Sequence, residues 1–155
     1  MGLNIHQFTT HVIRPTLHQI GLHSDSAENL LLGTALVESG QLHYLHQLGA
    51  GPAHGIYQME PRTHEDIWTN YLEYHKELRR QVLAFIAPVP EPVDQLVTNL
   101  AYATVMTRIF YLRKPNALPA ADDIRGLANY WKDHYNTHLG AGKADTFVRY
   151  LKEVM

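Results

Sequence analysis

The sequence predicts a single, mainly α-helical domain interrupted by one irregular, glycine-rich excursion. Apolar residues recur at helical spacing along most of the chain, and that spacing fails across residues 41–61. At 155 residues with no cysteine, the chain is long enough to bury one core without covalent staples. We find no internal repeat, low-complexity tract or linker, so residues 1–155 read as one domain.

Residues 3–20 place Leu3, Phe8, Val12, Ile13, Leu17 and Ile20 on a helical face, with Gly21 as the stop. Pro15 lies inside this run, which predicts a kink or two short pieces. Ser24 or Ser26 can cap the next helix, and Glu28 falls in its first turn, where the macrodipole favours an acid. That helix carries Leu30, Leu31, Leu32, Ala35, Leu36 and Val37 and is apolar nearly all round, the mark of a helix through the middle of a domain. Gly33 and Thr34 admit a close neighbour, and Gly40 marks the stop.

Gly49, Gly51, Pro52 and Gly55 then punctuate a loop or a small irregular sheet, in which only residues 55–59 have strand character. Helical patterning returns over residues 63–86, as one bent helix or two short ones, and residues 87–92 form a stiff proline-rich connector. A second strong helix is expected over 93–113, closed by Lys114-Pro115-Asn116. Another follows over 120–135 with Trp131 inward, and a last one after Gly140-Ala141-Gly142 carries Phe147, Val148 and Leu151.

Composition excludes several function classes. A formal net charge of −2 offers nothing to attract nucleic acid or an anionic membrane. Without cysteine there is no disulfide, thiolate nucleophile or cysteine-ligated zinc. No stretch approaches the roughly 20 apolar residues of a membrane span, and residues 1–21 lack the basic head and apolar run of a signal peptide. The expectation is a monomer made in the cytoplasm without an export signal of its own.

The residue that stands out is Glu38, at the end of the buried helix. Burial raises a carboxyl pKa by disfavouring the charged form, which keeps a glutamate protonated as a general acid near neutral pH. A solvated acid at a helix end is the plainer alternative. Against it, the macrodipole disfavours an acid at a helix C-terminus, and an electrostatically poor placement points to function.

Glu38-Ser39, followed by Gly55-Ile56-Tyr57-Gln58-Met59 with Pro61 and Thr63, resembles the lytic transglycosylase family of the soluble-lytic and goose-type lysozyme-like group. The run from Asn99-Leu100-Ala101 to Tyr111-Leu112 resembles that family's third block, and Tyr135-Asn136 with Gly140 and Gly142 its fourth. The blocks occur in family order from about residue 24 to 148. The chain differs at Tyr57, where the family has Met, and at His134-Tyr135-Asn136-Thr137, where the glycines come later.

The resemblance implies a lysozyme-like fold with a cleft between helices and a small β-rich region, and peptidoglycan glycan strands as partner. It implies cleavage of the β-1,4 bond between N-acetylmuramic acid and N-acetylglucosamine, with Glu38 as general acid and then base and no cofactor. A transglycosylase leaves a 1,6-anhydro end. A lysozyme holds water with a second acid, about 6.5–9.5 Å away if it inverts. Glu60, Glu65 and Asp66 are the candidates for that acid, each also readable as a solvated acid near a helix start.

Ser39, Gly55, Tyr57, Gln58 and Tyr135 are the expected substrate-binding or orienting residues. Ser39 bonds near the acid or the substrate, Gly55 and Gln58 contact sugar groups, Tyr57 stacks on a sugar or packs in the core, and Tyr135 orients Glu38 through its hydroxyl or packs at a helix end. The expected lack of an export signal is consistent with phage-type delivery or carriage in a particle, and equally with a cytoplasmic cassette protein. The alternative is a non-catalytic virion or glycan-binding protein on the same scaffold. Eleven histidines invite a metal reading, but the spacing of His43, His46, His54, His64, His134 and His138 supplies no paired ligand set, so no metal site is assigned.

Overall fold

The structure, a computed structural model, describes residues 2–46, 49, 51–136 and 142–155. It is mainly helical, and among the described residues there is no sheet. Nine α-helices are described: α1 (Ile5–Phe8), α2 (Arg14–Gln19), α3 (Asp25–Glu38), α4 (Pro61–Asn70), α5 (Lys76–Leu83), α6 (Gln95–Thr98), α7 (Leu100–Leu112), α8 (Ile124–Trp131) and α9 (Ala144–Val154).

Helix α3 is the axis of the domain. Ser24 caps it by accepting from Ala27 N, and its residues from Leu30 to Leu36 are all buried. It packs against α7, α8 and α9. Helix α9 approaches closely at Gly33, where a β-carbon would overlap the Phe147 ring. The expectation of a close neighbour at Gly33 holds.

Two of the expected helical runs change and a third resolves as two short helices. The first helical run stays continuous across Pro15, because a π-turn, Thr9–Ile13, joins α1 to α2 and leaves the proline in the first turn of α2. The expected helix over 93–113 is two helices. Asn99 adopts an extended backbone, its side chain accepts from Tyr102 N and donates to Phe85 O, and it thereby starts α7 afresh. Residues 63–86 divide into α4, a 3₁₀ turn at Leu72–Tyr74, and α5.

The glycine-rich excursion closes as a tight turn. His54 and Met59 exchange backbone hydrogen bonds of 2.8 and 3.1 Å, and Gln58 N donates to Gly55 O across the turn. Gly55 has φ +82°, and a β-carbon on it would overlap the carbonyl of Leu96. Only glycine lets this turn lie against the backbone leading into α7.

Candidate active site

Helix α3 ends at Glu38 in an unusual way. Gly40, Gln41 and Leu42 follow with φ of +59°, +60° and +68°, a left-handed turn in which two residues carry side chains. Such a residue costs roughly 1–2 kcal/mol relative to right-handed backbone. Burial of the Leu42 side chain and a hydrogen bond from Leu42 N to Ser39 Oγ (2.9 Å) hold it. Ser39 Oγ also donates to Ala35 O at 2.6 Å. The turn fixes the end of α3, and with it the base of the Glu38 side chain.

The half-buried Glu38 carboxylate meets the junction between α8 and a second π-turn, Lys132–Asn136. Trp131 Nε1 donates to Glu38 Oε1 at 3.2 Å, and the Asn136 side chain hydrogen-bonds the same carboxyl group. Lys132 Nζ donates to Asn136 Oδ1 (2.8 Å) and to Gly142 O (2.6 Å), so it tethers Asn136 and places a cation near the acid. A β-carbon at Gly142 would press on Trp131 and Asn136 together, which explains a glycine there. Burial pushes the Glu38 carboxyl up to about 7, and the bonds from Trp131 and Asn136 and the Lys132 charge offset this only in part.

Burial therefore keeps the acid's proton into the neutral range, and the donors around it stabilise its charge once the proton has left. That is what a general acid that later acts as base requires. All fifteen Asp and Glu residues lie among the described residues, and none of the others is among the groups acting on Glu38. Glu60 is exposed beside Arg62, Asp66 pairs with Arg113 and Asn70, and Glu65 lines a separate groove with Trp68 and Val93.

Burial and hydrogen bonding decide between the expectations for several of the binding residues. Of the two expectations for Tyr57, the structure has the core one: it is fully buried and its hydroxyl bonds Thr104 Oγ1 at 2.9 Å. The tight turn, where strand character was expected, aims its ring at the core. Ser39 is fully buried with both bonds made to backbone, so it shapes the helix end rather than meeting a substrate. Gly55 is buried with its N–H given to Leu45 O (2.7 Å) and its carbonyl accepting from Gln58, so it packs rather than binds.

Tyr135 approaches Glu38 closely enough for their charges to interact, yet its hydroxyl donates to Tyr57 O at 2.5 Å and not to the acid. Gln58 stays half-buried at φ +52° on the turn, its Nε2 donating to Gly55 O. Gly140 and His138 lie outside the described residues.

Trp131 and Lys132 are the neighbours of Glu38 that sequence reasoning passed over. Trp131 reads as one more inward aromatic, and only the fold brings it to an acid 93 positions away. Among the described residues no three His, Asp or Glu side chains are grouped to hold a metal ion. His64 is instead a buried imidazole bonded to the Tyr102 hydroxyl at 2.6 Å, and desolvation, with His54 nearby, lowers its pKa to about 4. No described helix is long and apolar enough to cross a membrane.

Neither a family model, nor a curated protein, nor a solved structure matches this chain.

Proposed function

We propose that the protein cleaves peptidoglycan glycan strands at the β-1,4 bond between N-acetylmuramic acid and N-acetylglucosamine, with Glu38 as the only acid–base group. The observation that carries the proposal is the setting of Glu38: half-buried at the end of α3, hydrogen-bonded by Trp131 and Asn136, its carboxyl pushed up to about 7 by burial, and with no second carboxylate among the groups acting on it. The protonated carboxyl gives its proton to the glycosidic oxygen as the bond to the anomeric carbon breaks. The resulting carboxylate, held by Trp131, Asn136 and Lys132, then takes the proton of the sugar's own 6-hydroxyl as that oxygen closes on the anomeric carbon. The product is a 1,6-anhydro end.

That no other carboxylate is among the groups acting on Glu38 supports this transglycosylase outcome over hydrolysis with a second acid holding water. The motif order of the sequence, in the manner of the lytic transglycosylases, supplies the substrate class. Clearing of purified cell walls tests the assignment: the natural protein clears them, the Glu38→Gln variant folds and does not. Equal clearing by both would remove Glu38 from the mechanism.

A non-catalytic glycan-binding or virion protein on the same scaffold is the second reading. The direction of the Tyr135 hydroxyl, toward Tyr57 O rather than toward the acid, favours it. Retention of glycan strands with no new chain ends would decide for that reading.

A further inference from the structure

The adjacent cations Arg113 and Lys114, just past the end of α7, have no part in the chemistry above. They are not a solvated surface pair. The Arg113 guanidinium lies 5.4 Å and the Lys114 ammonium 4.8 Å from the centre of one ring, Phe110. The Arg113 side chain is only 17% exposed, and its Nε is buried without a hydrogen-bond partner. One carboxylate serves both cations: Asp66 Oδ2 accepts from Arg113 Nη1 at 2.7 Å and is the acid that acts on Lys114.

The C-terminal end of α7 supplies about half a negative charge more. Two positive charges thus face roughly one and a half negative ones. A cation at a helix C-terminus is ordinary. A second, drawn partly out of water onto the same ring beside the first, is electrostatically costly unless an anion joins them. Desolvation and the neighbouring Arg113 hold the Lys114 ammonium below its usual range, with Asp66 only partly opposing them.

Phe110 links this pair to the proposed reaction centre. Its ring meets that of Tyr135 edge-on with centroids 4.9 Å apart, and Tyr135, like Tyr111, lies near Glu38. The cations and the two aromatic rings form one contiguous series that runs toward the acid.

We infer that Arg113 and Lys114 form an anion subsite that takes a carboxylate on the acidic arm of muramic acid, the lactyl group or the peptide attached to it. This rests on the proposed glycan-cleaving reading and assigns which sugar of the alternating strand is recognised. N-acetylglucosamine carries no such anion, so the subsite sets the register of the strand across Glu38. Lys114 supplies the accessible charge, while Arg113, fixed by Asp66 and Phe110, orients it.

The test uses the full-length Glu38→Gln protein, which binds without turnover. Two probes are titrated: a muramyl disaccharide with a free carboxylate, and an uncharged N-acetylglucosamine oligomer of equal length. The muramyl probe should bind more tightly by about five- to tenfold, the size of a charge-assisted contact half in water. Adding Lys114→Gln should bring the two affinities together, and adding Asp66→Asn should widen the gap. Raising the salt concentration should narrow the difference.

Equal affinities before Lys114 is changed, or a preference that survives Lys114→Gln in a protein with an unaltered circular-dichroism melt, would overturn the subsite and leave the glycan reading standing. Binding of neither probe would overturn both.

Discussion

Replacing Glu38 by glutamine separates the chemistry of the site from its packing, because Gln keeps an acceptor for Trp131 Nε1 and loses only the titrating proton. The carboxyl ionises at about 7 in the folded protein against an ordinary value of 4.5. Below pH 4.5 the folded and unfolded chains both hold the proton, and the group leaves stability unchanged. Between 4.5 and 7 the unfolded chain releases the proton while the folded protein keeps it, so stability falls as pH rises. It levels off above about 7. Each pH step is worth about 1.4 kcal/mol, and the accumulated loss is about 2–3 kcal/mol for a half-buried group.

The glutamine variant escapes that loss. Its melting temperature should match the natural protein near pH 4 and exceed it by roughly 5–10 °C at pH 8, at about 2–4 °C per kcal/mol for a domain of this size. Scanning calorimetry of both proteins at the two pH values reads this directly, alongside the loss of cell-wall clearing. Melting curves that stay parallel across the range would mean that Glu38 is an ordinary solvated acid.

Removing a group that stabilises the Glu38 carboxylate should shift the alkaline limb of the pH–activity profile upward. Trp131→Phe and Lys132→Gln are both expected to do this, and an unmoved limb in both would disconnect them from the acid. Tyr57→Phe should cost about 1 kcal/mol through the lost bond to Thr104, read in a denaturant melt, with KM unchanged. A raised KM would restore a substrate-stacking role for Tyr57. Gly33→Ala forces the Phe147 ring off α3 and should destabilise by about 1–3 kcal/mol, a drop that a thermal melt resolves.

Local pattern made some of this legible in the sequence. The unbroken apolar run from Leu30 to Val37, stopped by Gly40, marked α3 as the central helix and Glu38 as the acid at its end. Gly33 read correctly as a point of close approach for the same reason. The features that escaped are non-local or depend on side-chain direction. Asn99 reads as one residue within a helical run until its side chain is seen bridging Phe85 O and Tyr102 N. Tyr57 sits in a segment whose composition suits a strand, and only the tight turn, with Gly55 against Leu96, decides that the ring points inward. The environment of Glu38 is assembled from α3 and the α8 junction, far apart in sequence. Two π-turns contribute as well, because each adds a residue to a turn that period-3.6 reasoning does not anticipate.

Mass spectrometry of the fragments released from purified peptidoglycan bears most directly on a single-acid mechanism at Glu38. Digestion by the natural protein should yield 1,6-anhydromuramyl ends, and digestion by Glu38→Gln should yield none. Reducing ends in place of anhydro ends would show that water, held by some other group, completes the reaction, and the absence of any new ends would show that the site binds without cleaving.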